Sequence, residues 1–132
     1  LIEQDVPCRG KVLMGTVLGD LHDLGKSLVS MMLTGSGFTT IDAGINVSPE
    51  AFARAIDQHK PDVVGMSAML ATTMLNMGKV IDTLVEYKMR NSVRVIVGGA
   101  PITAEFAGRI GADGYADDAV QAVHLVQRLI EQ

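Results

Sequence analysis

Five short apolar runs, each followed by a stretch with helical spacing, constrain this chain more than any other feature in it. The runs lie at 11–18, 38–43, 62–66, 93–97 and 111–116. After the first come Leu24, Leu28, Met31 and Met32, spaced as on one side of a helix. Ser48-Pro49-Glu50 opens a second helix with a capping hydroxyl and a proline at its first position, and Phe52, Ala55, Ile56 and His59 share one face of it. Met77, Val80, Ile81, Leu84 and Val85 mark a third helix, 103–110 a fourth, and Ala119, Ala122, Val123, Val126, Leu129 and Ile130 a fifth. Strand and helix alternating five times over predict an α/β fold with an open parallel sheet and helices on both faces.

The expected strand order is 2-1-3-4-5, the doubly wound, flavodoxin-like arrangement. Its strand order, not strand direction, reverses between strands 1 and 3, and ligands bind at the carboxyl ends of the strands beside that reversal. A length of 132 residues fits one domain. Only 4% of the residues are aromatic, which suits thin helical layers on a parallel sheet better than an aromatic-rich sandwich. The domain is read as 10–132. Residues 1–9, with Pro7, read as the remnant of a linker, and a first residue of Leu1 leads us to expect a piece of a longer protein.

A net charge of −4 argues against a nucleic-acid partner held by phosphate neutralisation. No apolar run approaches the ~20 residues of a membrane span. A lone cysteine, Cys8, forms no internal disulfide and fits a cytoplasmic setting. His59 reads as a helix-end residue and His124 as solvated.

Three unusual loops meet at the expected ligand edge. The first is Gly19-Asp20-Leu21-His22-Asp23-Leu24-Gly25. Asp20, two residues before His22, falls on the same side of an extended chain, as an orienting carboxylate for a metal-binding imidazole must. Gly25 lets backbone approach a large flat ligand. The second loop, 67–74, brings Ser67 and Thr73. Thr73 is placed to reach the Asp20 carboxylate, or simply to cap the next helix; Ser67 is placed to bond a ring nitrogen, or to cap as well. The third, Gly98-Gly99-Ala100, removes two side chains where a flat base would pass, or simply makes a turn. Met69, Met74 and Met77 read as filler for irregular core gaps.

Related chemistries fail at the site itself. Met66-Ser67 stands where a phosphoacceptor aspartate would be needed, the first loop is acidic where a flavin phosphate would sit, and Gly15, Gly19 and Gly25 do not make a dinucleotide fingerprint.

The pattern Asp20-x-His22-x-x-Gly25, with 67–74, Gly98-Gly99-Ala100-Pro101-Ile102-Thr103, Phe106-Ala107 and Ile110-Gly111-Ala112-Asp113-Gly114-Tyr115-Ala116, resembles the cobalamin-binding corrinoid proteins of methyltransferase systems that demethylate methanol, methylamines or methoxylated aromatics. The likeness runs from Gly10 to Ala122. It implies a cobamide whose cobalt takes His22 as lower ligand in place of the nucleotide base, with Asp20 and Thr73 completing a relay. It further implies cofactor contacts from Gly19, Asp20, Leu21, His22, Asp23, Leu24, Gly25, Ser67, Met69, Leu70, Thr72, Thr73, Gly98, Gly99, Ala100, Tyr115 and Ala116. The expected function is to carry a methyl group on cobalt from a substrate:corrinoid methyltransferase to an acceptor methyltransferase using tetrahydrofolate or a thiol coenzyme, with a reductive activase as third partner. The chain is then a carrier subunit, not a complete enzyme. Ala71 stands where the family often has threonine, which bears on one hydrogen bond to the cofactor. Cobalamin-dependent mutases, also similar, typically carry Gly-His where this chain has Thr72-Thr73. The family's helical bundle over the upper corrin face has no counterpart here. A cobalamin-binding sensor domain of a regulator is the second reading, and an interaction module without cofactor the third.

Overall fold

The computed structural model describes residues 8–131. Most of the expected 1–9 linker therefore lies outside the described residues. Strand β1 (Lys11–Val17) leads into α1 (Leu24–Gly35), β2 (Thr39–Val47) into α2 (Pro49–His59), and β3 (Val63–Ser67) into α3 (Ala71–Glu86). A 3-10 turn (Arg90–Ser92) precedes β4 (Arg94–Gly98), followed by α4 (Ala104–Ile110), β5 (Gly114–Tyr115) and α5 (Ala119–Glu131). The sheet is wholly parallel in the order β2-β1-β3-β4-β5, as the alternation of elements predicts.

The pleat of the central strands divides the core in two. Leu13, Val64 and Val95 face α2, α3 and α4, packing with Phe52, Met77, Leu84 and Phe106. Val12, Met14, Val63 and Ile96 face α1 and α5, packing with Leu33, Ala122, Val126 and Leu129. Ser48 caps α2 by accepting from the Ala51 N–H at 3.1 Å, and Thr103 caps α4 through the Phe106 N–H at 3.1 Å.

Four local expectations change. Most of the apolar stripe of α1 turns outward: Leu24, Leu28 and Met31 are 85%, 45% and 65% exposed, while Met32 packs against the core beside buried Leu33, and Lys26 is buried. Val85 of α3 is exposed, although Met77, Val80, Ile81 and Leu84 are core. β2 continues to Val47, past Gly44 at φ 99° and Asn46 at φ 53°, and the register shifts twice as it does so. β5 shrinks to two residues because Gly111, at φ 85°, is the left-handed cap of α4. His59 ends α2 and His124 is exposed on α5, as expected.

Candidate functional site

The site begins where β1 ends. Gly19 turns the chain at φ 85°, and the Asp20 N–H donates to the Val17 carbonyl at 3.1 Å. Asp20 is fully buried, and its carboxylate accepts from four donors. Oδ1 takes the His22 N–H at 3.0 Å and lies 2.8 Å from His22 Nδ1. Oδ2 takes the Met69 N–H at 2.8 Å and the Thr73 hydroxyl at 2.6 Å. Burial by itself raises this carboxyl's pKa. The bonds from Thr73, Met69 and His22 outweigh it and hold the group well below the usual carboxylate range. An ionised carboxylate only accepts, so Nδ1 carries the proton, and in the neutral ring Nε2 keeps its lone pair. The His22 side chain is 54% exposed, so that lone pair belongs to an accessible imidazole.

Three residues that sequence reasoning passed over hold the loop in place. Thr16, a polar side chain among the apolar residues 12–17, donates its hydroxyl to the His22 carbonyl at 2.9 Å. Asn46 accepts from the Gly19 N–H at 2.7 Å, and its own N–H donates to the Asp20 carbonyl at 3.0 Å. Lys26 reaches Asp23 and Asp42, each at 2.6 Å, from a side chain only 2% exposed. Desolvation lowers the Lys26 pKa, but hydrogen bonds to Asp23 and Asp42 reverse the sign and leave it raised. Lys26, three residues after Asp23 in an apolar helix, is a signal that the sequence does contain.

Beside His22 a cleft of about 350 Å³ opens between the sheet and the α1–α5 layer. Met14, Gly65, Met66, Ser67, Ile96, Val97 and Gly98 line it from the strands, and Gly25, Lys26, Leu28, Val29, Ala119 and Ala122 from the helices. His22, Met69, Gly99, Ala100, Ala116, Asp117 and Asp118 complete it. Ser67 stands 3.0 Å from Thr16 Oγ1. Because the Thr16 proton goes to His22, Ser67 donates there and offers the cleft its lone pairs; bonding a ring nitrogen requires it to turn.

The structure thus gathers His22, Gly25, Ser67, Met69, Gly98, Gly99, Ala100 and Ala116 at one cleft. Asp20 and Thr73 are buried behind the imidazole. Leu21, Leu24 and Leu70 stand exposed around the loops, as does Thr72, and Asp23 is tied to Lys26. Tyr115 does not line the cleft. It packs against the opposite core, and its hydroxyl donates to Asp117 at 2.9 Å. Thr73 is not the cap of α3, a position held by Leu70. Met77 is core, as read, but Met69 is 43% exposed at the cleft. Gly99 differs from expectation too: at φ 129°, a Cβ there would run into the carbonyl oxygen of Ala68. Its glycine serves the meeting of two loop backbones. Gly98 is freer, its Cβ position lying 3.1 Å from the Ala116 carbonyl.

Among the described residues, no three His, Cys, Asp or Glu side chains group as a metal site. One oriented imidazole beside a deep, largely apolar cleft suits a metal that arrives with its other ligands already supplied by a flat macrocycle. The fold and site therefore define a domain for a metal-bearing macrocyclic cofactor at the switch point of a doubly wound sheet.

The chain belongs to the B12-binding domain family, whose model matches residues 10–124, and its cofactor class is corrinoid. It is 44% identical over 121 residues to dimethylamine corrinoid protein 2 of Methanosarcina acetivorans, covering 92% of this chain and 56% of that one. The structure of the Methanosarcina barkeri monomethylamine corrinoid protein superposes with a TM-score of 0.89 at 32% identity, over 97% of this chain and 61% of that one. The methanol:cobalamin methyltransferase complex of the same organism matches with a TM-score of 0.88 at 27% identity, over 95% of this chain and 48% of that one. The chain spans a little over half the length of the curated relatives it matches. Among the described residues no helix is long and apolar enough to cross a membrane.

Proposed function

We propose that this domain holds a cobamide with His22 Nε2 as the lower ligand to cobalt and the cofactor's nucleotide tail in the adjoining cleft. In this reading it is the methyl-carrying part of a corrinoid methyltransferase system. The observation that carries it is the Asp20–His22 contact at 2.8 Å, which fixes one tautomer of an accessible imidazole at the mouth of the cleft. The exposed apolar side chains of Leu21, Leu24 and Leu70 around that imidazole support a large ring as the ligand.

A bound corrinoid supplies the cobalt that accepts a methyl group from one partner and yields it to another. The chain's own part is to present, hold and release one imidazole. Asp20 keeps the Nδ1 proton in place while Nε2 is a ligand. Thr73 and Met69 carry the position of that carboxylate to the loop after β3. The donor-side partner is a substrate:corrinoid methyltransferase, a reading supported by the methylamine and methanol systems among the relatives. An acceptor methyltransferase and a reductive activase complete it.

Electron paramagnetic resonance of the Co(II) form tests the ligand directly, with heavy-nitrogen histidine in the protein and ordinary cobamide. The expected hyperfine pattern is that of the heavy isotope, with cobalt at one per chain. A pattern unchanged from ordinary nitrogen means that the cofactor's base is still bound and overturns His22.

A further inference from the structure

We propose that Met14 is a yielding floor for the cleft, setting how large a lower base the cobamide can carry. This rests on the reading that the nucleotide tail enters the cleft. Met14 and Gly65 are register partners on adjacent strands, β1 and β3, at the centre of the sheet. Both face the α1–α5 layer and both line the cleft. A Cβ on Gly65 would lie 2.5 Å from Met14 Sδ and 3.0 Å from its methyl carbon. The thioether therefore lies over the bare backbone of Gly65 and occupies the space that a side chain there would fill. Where an alanine would present a fixed wall, the chain places the end of an unbranched side chain with three rotatable bonds. Met14 is 4% exposed, so moving that end is the local route to a deeper cleft.

The consequence is a tolerance of base size. The intact domain accepts a benzimidazole and its larger dimethyl derivative with closely similar affinity, because the thioether gives way. Gly65→Ala pins the thioether from beneath and pushes it into the cleft. One methyl group of misfit in an apolar pocket discriminates by about tenfold or more. Met14→Ile acts similarly, since a β-branched side chain is stiff.

The test is binding of three corrinoids, followed by absorbance: cobinamide, which lacks the nucleotide tail, the benzimidazole cobamide and the dimethylbenzimidazole cobamide. We expect both cobamides to bind the unmodified domain more tightly than cobinamide does. Gly65→Ala should lose affinity for the dimethyl form by about tenfold relative to the benzimidazole form. Cobinamide affinity should hold, and Met14→Ala on the Gly65→Ala background should restore the original ratio. If cobinamide binds the unmodified domain as tightly as the cobamides, the tail does not use the cleft, and the functional reading fails with the inference. If the cobamides bind more tightly but neither Gly65→Ala nor Met14→Ile alters the ratio, Met14 is not the floor and only this inference falls. Should Gly65→Ala not fold, Met14→Ile alone decides, by the same ratio.

Discussion

Thr73 donates its hydroxyl to Asp20 across 2.6 Å, joining the first turn of α3 to the loop that carries His22. Two segments distant in sequence thus converge on one buried carboxylate, whose four acceptor positions are all used. Removing a single donor, as in Thr73→Val, leaves three. The expected cost is about 1.5–3 kcal/mol, typical of a hydrogen bond to a charged group. Thr73→Ser should recover most of it, as urea unfolding of the three proteins will show.

Asp20→Asn is the harsher change. A carboxylate accepts from all four donors, but an amide turns its NH₂ toward two of them. We expect a larger loss of stability than for Thr73→Val, together with a loss of cobalt coordination of roughly 10–100-fold. Cobamide titrations of Asp20→Asn and Thr73→Val, side by side, check the ranking. Equal effects would show that Asp20 acts only through Thr73.

The sheet and most of the site were legible because they rest on local rules. Buried parallel strands read as apolar runs, helices show their period, and Asp20, His22 and Thr73 follow from a spacing and a sheet order. What was not legible depends on which way a helix is turned and on what crosses between strands. Leu24, Leu28 and Met31 make a fair apolar stripe, yet the buried side of α1 is the one with Lys26, whose charge is met by Asp42 from the neighbouring strand β2. No periodicity reveals that partner. Asn46 escaped for a related reason: it acts from an irregular extension of β2, beyond where the β-branched run ends. Gly98 and Gly99 look alike in sequence, and only the position of Ala68 separates their roles.

The Lys26 pair makes an asymmetric prediction. Asp23 and Asp42 have side chains 55% and 65% exposed, whereas Lys26 is at 2%. Lys26→Met strands two carboxylates that water already reaches, so its cost is the smaller one. The double change Asp23→Asn with Asp42→Asn strands a buried ammonium, at about 3–5 kcal/mol. Urea midpoints should fall in that order. The pH dependence carries a definite sign as well. The folded pKa of Lys26 is raised, so its contribution is complete below the ordinary value of 10.5 and fades as pH rises through the folded value. The unmodified domain should therefore lose stability above pH 10.5 more steeply than Lys26→Met does.

Two glycines of the cleft should respond in opposite ways. Gly25 sits in the first turn of α1 with nothing within 4 Å of where its Cβ would be. Its backbone is compatible with alanine, so Gly25→Ala should stabilise the unliganded domain by about 0.4–1 kcal/mol through the unfolded chain. The added methyl group points into space that the proposed ligand needs. Gly25→Ala should therefore bind cobamide more weakly while melting higher, and Gly25→Leu should bind more weakly still. Gly99→Ala reverses the pattern. Its φ of 129° disfavours any side chain, and its Cβ would meet the Ala68 carbonyl. Stability should fall by at least about 1–3 kcal/mol before any ligand is added. Thermal melts of the unliganded proteins, followed by cobamide titration of each, separate the two cases. A Gly25→Leu domain that binds cobamide as tightly as the unmodified one would show that the flat ligand does not pass this helix.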